Sequence, residues 1–405
     1  MELLKQELYK IFSKKYLFLI LGGILLLVHG SNGIIEFKEV KNYYESVNVL
    51  YNYTKPFEGK ITKEKEEKLS NIVKSTKDKD DSRKRIYERI WNSYSQQNRP
   101  RFVAIADVLR KADPLFYNKK LDNRPQDFKG YTIKELDKNL MDLKKSGKEN
   151  SYEYKNKTMA NNMYKKLSEP KFFYTEGWQY ISSFVNETNF TIIVIMLLLG
   201  ISPMFSDEYK TKVATIILST KKGRSQCVRA KILASIIYAV FITFICNLIS
   251  TVLVNIAYGW QGFSAPMQCL WDFICSPYNL TIGEFNLTLF FTTVIGSIIF
   301  ALLILLISNI TRSSMMTFFI SGFILMFPML VQRFGANANF WWKKPLISLS
   351  IAQILSGVKI YDVFSTINIF GHPVIYPYFI LIYSALLAIL LIYILHNRLK
   401  YQQIK

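Results

Sequence analysis

The sequence predicts an all-α membrane protein: six transmembrane helices, an N-terminal interfacial helix, and a mainly α-helical extracytoplasmic domain between helices 1 and 2. Three observations lead there. Half of the 405 residues are hydrophobic, and they are gathered into uninterrupted runs. Several of these runs reach the ~20 residues that a helix needs to cross a bilayer core of about 30 Å. Between the first run and the second lies a long charged stretch that contains no run of that length. The formal net charge of +21 is accounted for by basic inner loops and anionic headgroups. Membrane lipid is therefore an expected partner and nucleic acid is not.

Residues 1–15 carry an apolar stripe, Leu4, Leu8, Ile11 and Phe12, flanked by Lys5, Lys10, Lys14 and Lys15. That is the pattern of a helix lying along the inner leaflet. Residues 16–35 form the first transmembrane helix. It is expected to be retained, because His29-Gly30-Ser31-Asn32-Gly33 offers no small-x-small cleavage site.

Residues 36–187 are rich in Lys, Glu, Asp, Asn and Tyr, and are too long for a connecting loop, so a folded domain is expected. Its signals are helical. Thr132 to Glu135 reads as a capping box opening the run Leu136, Leu140, Leu143. Further helices are expected over 60–78, over 83–112 (with Ile86, Ile90 and Tyr94 in register until Pro100), and over 151–167.

Residues 188–405 hold the other five spans, at 188–204, 232–257, 286–310, 315–331 (interrupted by Pro328) and 376–395. The segment 333–375 is mixed. Phe340 to Pro345 is an interfacial aromatic and basic cluster, and Pro345 to Gly357 reads as a short amphipathic or re-entrant helix, too short to span.

Orientation follows from charge in the short connections. Lys5, Lys10, Lys14 and Lys15 precede the first span; Lys210, Lys212, Lys221, Lys222, Arg224, Arg229 and Lys231 lie between the second and third. Arg312 follows the fourth, and Arg398, Lys400 and Lys405 follow the sixth. All fall on one side, opposed only by Lys343 and Lys344, which predicts a multi-pass protein of the cell membrane with both termini cytoplasmic.

No catalytic motif is present: no G-x-x-x-x-G-K-[ST] loop, no H-E-x-x-H and no G-x-S-x-G. The chain is not expected to be an enzyme by itself. His29, His372 and His396 are scattered, and the four cysteines form no metal pattern. Cys269 and Cys275 are close enough in an outer loop to bridge, with two free thiols the equal alternative. The central parts of the spans hold no ionisable residue, which argues against a carrier working through a buried carboxylate. They do hold hydroxyls and amides at helical spacing: Thr243, Asn247, Ser250, Thr251 and Asn255, then Thr288, Thr292 and Ser297. Such residues commonly join helices by hydrogen bonds; the alternative is a weakly polar translocation path or a seam between subunits.

The polar insert between the second and third spans is the most informative stretch. As one helix it places Phe205, Tyr209, Val213, Ile216, Ile217 and Thr220 near one face. Glu208 by itself reads as a helix-terminal charge or a surface pair with Lys212. An acidic residue one turn into a cytoplasmic helix, an apolar ridge, a Leu-Ser-Thr run, Gly-Arg and then a Lys resembles the permeases of type-2 ATP-binding-cassette (ABC) exporters. Here these are Phe205, Glu208, Ile216 to Thr220, Gly223-Arg224 and Lys231. The interfacial helix, six spans and short re-entrant helices are similar to that family as well. The chain departs from the commoner pattern at Lys212-Val213, where Gly-Thr is frequent, and at Lys221-Lys222, which replaces a Pro-containing turn.

The resemblance implies that segment 206–229 couples to an ABC ATPase subunit, with Phe205, Glu208, Tyr209, Lys212, Val213, Ile216, Ile217, Arg224 and Lys231 as coupling residues. ATP and Mg would reside on that subunit, with no cofactor in this chain. It also implies a dimer with a second permease copy or a related permease, exporting an amphipathic peptide, antibiotic or lipid-like substrate. The alternative is a membrane-anchored sensor or scaffold whose outer domain binds a ligand or partner.

Overall fold

The computed structural model describes residues 2–37, 48–75, 82–98, 133–219, 226–334 and 342–400. Helix α1 (Glu2–Phe12) packs Leu4, Leu8, Ile11 and Phe12 on the main core and leaves Tyr9 exposed, as its stripe predicts. Helix α2 (Lys15–Phe37) follows after a two-residue break and buries Leu17, Leu21 and Leu25, one turn apart.

Past α2, the outer region is built from helical pairs. Helices α3 (Lys63–Ser75) and α4 (Ser82–Asn98) enclose a small core of Phe57, Leu69, Ile90, Tyr94 and Phe172. The Tyr94 hydroxyl donates to the Phe57 carbonyl inside it. Strand β1 (Gly59–Lys60) pairs antiparallel with β2 (Lys171–Phe172), so the two ends of the outer region are stitched together. Helices α5 (Ile133–Lys145) and α6 (Tyr152–Lys165) close a second core of Leu136, Ala160, Tyr164, Leu167 and Phe364. Ser151 caps α6 by accepting from the Tyr154 N–H at 3.2 Å. The capping box at Thr132–Glu135 and the helix extension over 99–112 lie outside the described residues.

Among the described residues, five helices are long and apolar enough to cross a membrane. They are α7 (Glu176–Lys210), α9 (Val228–Tyr258), α10 (Ile282–Thr311), α11 (Ser314–Phe334) and α15 (Tyr376–Lys400); a short helix, α8 (Val213–Ser219), sits between the first two. Two boundaries differ from expectation. Helix α7 starts at Glu176 instead of Thr188, through a π-helical turn at Ile181–Val185, because its polar residues are matched by neighbours. The Asn186 amide donates to the Ser356 carbonyl at 3.1 Å, and Asn189 accepts from Ser250 at 2.9 Å. Helix α11 runs through Pro328 without interruption, with the proline buried.

Helices α7 and α10 form the centre and are mostly buried, whereas α11 and α15 are mostly exposed. Their outward faces carry Met315, Phe319 and Phe323, then Ile382, Leu386 and Ile389, at helical spacing. A continuous apolar surface of that kind is stable in lipid and not in water. The protein is embedded in a membrane.

Close packing at the centre depends on two glycines. A side chain at Gly200 would strike the Tyr238 ring at 2.4 Å, and one at Gly296 would meet the backbone of Leu355 at 2.5 Å. Leu355 lies on α13 (Ile351–Ser356), preceded by α12 (Lys343–Ser348) and followed by α14 (Val358–Tyr361). The single short helix expected over 345–357 is therefore two short helices broken at Leu349–Ser350, where Ser350 caps α13.

Next comes an element the sequence pattern did not suggest. Strands β3 (Thr366–Ile369) and β4 (His372–Ile375) form a hairpin that pairs Ile369 with His372. Its two loop residues, Phe370 and Gly371, both have positive φ (48° and 82°), as a type I′ turn requires. Phenylalanine is an unusual first residue for that turn, and this hid the hairpin. It ties the outer region to α15: Tyr152 meets the Thr366 hydroxyl at 2.8 Å, and Thr366 donates to Asn156 at 2.7 Å.

Replacing Gly296 with alanine is expected to cost about 1–3 kcal/mol through overpacking against Leu355. Gly322→Ala, where the nearest atom would be 3.7 Å away, should be neutral or slightly stabilising. Thermal unfolding of the two variants in detergent, side by side, checks this.

Candidate functional site

Where α1, the C-terminal end of α7 and the start of α9 converge, three charged side chains, Glu7, Glu208 and Lys231, are buried together and a fourth, Lys10, reaches them from a half-exposed position. Lys231, 1% exposed, lies one turn into α9. Its ammonium donates to Glu208 Oε1 at 2.7 Å, Glu7 Oε2 at 3.0 Å and the Met204 carbonyl at 2.9 Å, which satisfies all three of its protons. Lys10 donates to the same two carboxylates, to the other oxygen of Glu7 (Oε1, 2.7 Å) and to the oxygen of Glu208 that Lys231 also uses (Oε1, 2.8 Å). The Phe205 ring lies 5.1 Å from the Lys231 ammonium, a cation–π contact that strengthens as water is excluded. Two carboxylates are thus balanced by two ammonium groups, and three chain segments are held at one point.

Burial acts against the charged form of Lys10, but its hydrogen bonds to Glu208 and Glu7 outweigh it and hold the ammonium above the usual lysine range. A raised lysine pKa stabilises the fold below the unfolded value of about 10.5, and that contribution is lost only as pH rises through the folded pKa. The Lys10 tether is therefore intact throughout the neutral range. Nearby, Lys14 lies 4.0 Å from Asp207, a looser contact at the surface. Burial lifts the Cys227 thiol, which keeps it protonated. Glu7, Glu208 and Cys227 bring donor atoms within 4.8 Å of one another. The Lys231 ammonium already bridges the two carboxylates, so the arrangement fits an ionic clasp and not a cation site.

The predicted coupling residues divide into two groups. The expected continuous ridge from Phe205 to Thr220 is broken: α7 ends at Lys210, Lys212 takes a left-handed conformation (φ 60°), and α8 begins at Val213. Phe205 is buried against the clasp, and the Tyr209 ring receives Arg312 at 4.9 Å. Val213 and Ile216 lie after the break and point outward, Ile216 with 68% of its surface exposed. The left-handed residue resets the helical phase, so the two halves of the stripe face different ways. Glu208 is no surface partner of Lys212; it is buried and bonded to Lys10 and Lys231. The Ile217 side chain, Arg224 and the Gly223–Arg224 turn lie outside the described residues.

Among the span hydroxyls and amides, several pair across helices. Thr243 donates to Ser297 at 2.9 Å, joining α9 to α10. Ser250 donates to Asn189, joining α9 to α7. Thr292 meets the Tyr361 hydroxyl at 3.0 Å, joining α10 to α14. Asn247 and Asn255 donate to the carbonyls of Thr243 and Thr251 on their own helix, and Thr288 bonds to the Glu284 carbonyl. The three cross-helix pairs act as joints between helices. Cys269 and Cys275 are free thiols, so the bridge between them is not formed; Cys269 donates instead to the Lys171 carbonyl at 3.2 Å.

Sequence reasoning missed Glu7. The signal was present: Glu7 falls on the apolar stripe between Leu4, Leu8 and Ile11, where an acidic residue needs a buried partner. Comparisons with family models, with curated proteins and with solved structures return no match for this chain.

Removing one member should unbalance the clasp. Lys231→Met is expected to destabilise by roughly 3–5 kcal/mol, as loss of one partner of a buried ion pair does. Adding Glu7→Gln, which restores neutrality with the Lys10–Glu208 pair, should recover much of that loss. A double-mutant cycle of thermal unfolding measures the coupling. With Lys10 held charged, protease protection of α1 should not weaken between about pH 7 and about pH 9.

Proposed function

We propose that this chain is the membrane-spanning subunit of an ATP-driven exporter of the type-2 ABC kind, which moves an amphipathic peptide, antibiotic or lipid-like substrate out of the cell. A separate ATPase subunit binds the cytoplasmic segment 206–229 and supplies ATP hydrolysis. Two copies, or this chain and a related permease, form the working unit in the cell membrane, with both termini and α8 on the cytoplasmic side.

The observation that carries this reading is α8, a short helix whose Val213 and Ile216 are exposed directly after a segment clamped by the ionic clasp. An exposed apolar pair on a rigidly rooted helix is suited to entering a pocket on a partner. Glu208 and Lys231 join the root of that helix to α9, while Ser308 donates to the Ser202 carbonyl at 2.7 Å and joins it to α10. A push on α8 would therefore reach the spans as a rigid-body tilt, the kind of motion by which such proteins alternate between two states.

A second reading, a sensor or scaffold that relays occupancy of its outer region, draws on the Tyr152–Thr366–Asn156 link between that region and α15. Excising residues 40–170, which leaves α7 whole, separates the two: an exporter would retain stimulation of its ATPase, whereas a sensor would lose all response.

The principal test is retention of a Walker-motif ATPase on the purified full chain. Ile216→Asp, at an exposed position, should reduce retention ~10-fold or more, as loss of a hot-spot anchor does, without lowering thermal stability. Transport by the chain reconstituted without any ATPase would overturn the reading.

A further inference from the structure

At the end of the bundle that carries the outer region, six aromatic rings form a shelf of two rows. In one row Tyr180 stacks on Phe184 at 5.2 Å and on Tyr258 at 5.8 Å. In the other, Trp178 packs against Trp260 at 6.2 Å and against Phe263 at 5.5 Å. The rows meet at Gly177, where an added Cβ would come within 2.8 Å of the Tyr258 Cβ. The turn that presents the second row is built for it. Gly259 ends α9 with φ 86° and Gly262 follows with φ 82°, conformations that glycine adopts without steric cost. The Trp178 indole N–H then donates to the Gln261 carbonyl at 2.9 Å and holds the loop down. Trp178 is the buried anchor, 2% exposed, whereas Trp260, Phe263 and Phe184 leave 54%, 52% and 42% of their surfaces uncovered.

A cluster of uncovered rings this size is unfavourable in water, and its surroundings show what covers it. Below Trp260 on α9 lie Ile256 and Leu253, both exposed. Phe263 rests on α10 at Gly283, where an added Cβ would lie 2.4 Å from the ring; exposed Leu287 and Phe291 continue down α10 from that point. The shelf thus tops two apolar columns that face outward from the spans. Helix length agrees with this placement. From Lys231 to Tyr258, α9 rises about 40 Å at ~1.5 Å per residue, and a bilayer with its headgroup layers is about 40–45 Å thick. With Lys231 at one face, Tyr258 and the loop after it come level with the headgroups of the other. Helix α10 marks the same level independently. Glu284, exposed and closing a capping box with Thr281, is its last charged residue before an uncharged run to Thr311. Rings with polar edges, beside a charge and above apolar columns, are the composition favoured where lipid meets water.

We propose that this shelf is a membrane anchor: Trp260, Phe263 and Phe184 insert among the lipid headgroups and upper acyl chains of the leaflet nearest the outer region. It lies where the chain passes from β2 into α7, so it fixes how far the outer region stands above the bilayer. The inference goes beyond the exporter reading and does not depend on it.

Spin labelling of the full-length chain in phosphatidylcholine vesicles tests the proposal. A nitroxide is attached at Trp260→Cys, at Phe291→Cys on the column below, and at Lys148→Cys, an exposed position of the outer region. The parent chain, with Cys227, Cys246 and Cys269 buried and Cys275 partly so, gives the labelling background. Collisions with oxygen, which concentrates in lipid, are compared with collisions with a water-soluble nickel chelate. The oxygen-to-nickel ratio at position 260 is expected to exceed that at 148 and to fall short of that at 291. A ratio equal to that at 148 would leave the shelf in water, and one equal to that at 291 would sink it into the hydrocarbon. Exclusion of both reagents would mean that protein, such as a second copy of this chain, covers it. Each of these three results overturns the proposal. Trp260→Phe, which keeps a ring against Trp178, supplies a measurement that does not rely on the cysteine variant folding. In vesicles of phosphatidylcholine brominated near the headgroup end of its chains, quenching should remove a smaller share of the total tryptophan emission from Trp260→Phe than from the parent chain. An equal share would likewise overturn the proposal.

Discussion

The inner half of this protein depends on a buried, charge-balanced clasp. Lys231 sits where α9 enters the membrane core, and its charge is tolerated there only because Glu7, Glu208 and the Met204 carbonyl take its three protons. Desolvating such a group costs several kcal/mol, and good geometry with every donor satisfied is the condition for offsetting that cost. The same bonds fix the geometry around them. They set α1 against the membrane core, hold the end of α7 against α9, and determine the point from which α8 projects. A hydrophobic contact in the same place would tolerate sliding; directed hydrogen bonds between charged groups do not.

The outer half is joined by smaller connections. Each helical pair has its own core, too small to stand alone, and each is bound to the membrane-embedded part. Phe364 completes the core between α5 and α6, the Tyr164 hydroxyl donates to the Cys275 carbonyl at 3.0 Å, and the β1–β2 pairing closes the two ends of the outer region. The outer region is therefore built on the loops of the spans and leans on them at several points.

Much of the architecture was legible from hydropathy, and the reason is physical. Apolar runs of membrane length can be buried only in lipid or in a core, so the last five spans appear close to where the sequence places them. The amphipathic α1 was legible for the same reason, through its period. What escaped was set by particular contacts. Helix α7 extends twelve residues further because Asn186 and Asn189 find acceptors and donors on other helices. The β3–β4 hairpin turns on Phe370, a residue that gives no turn signal. Lys212 adopts a conformation typical of glycine and splits the apolar stripe expected from Phe205 to Thr220, which a count of helical spacing cannot register.

By itself, the sequence determined the membrane class of the protein, the approximate spans and several of the residues that meet where α1, α7 and α9 converge, because length, hydropathy and charge act locally along the chain. Tertiary structure alone decided what those residues do to one another. Glu208 reads along the chain as a surface charge near Lys212, and in space it is the acceptor shared by Lys10 and Lys231. The membership of Glu7 depends on a residue more than two hundred positions away. Partners so distant in sequence become neighbours only when helices pack, and the strength of their bonds comes from the exclusion of water that packing brings.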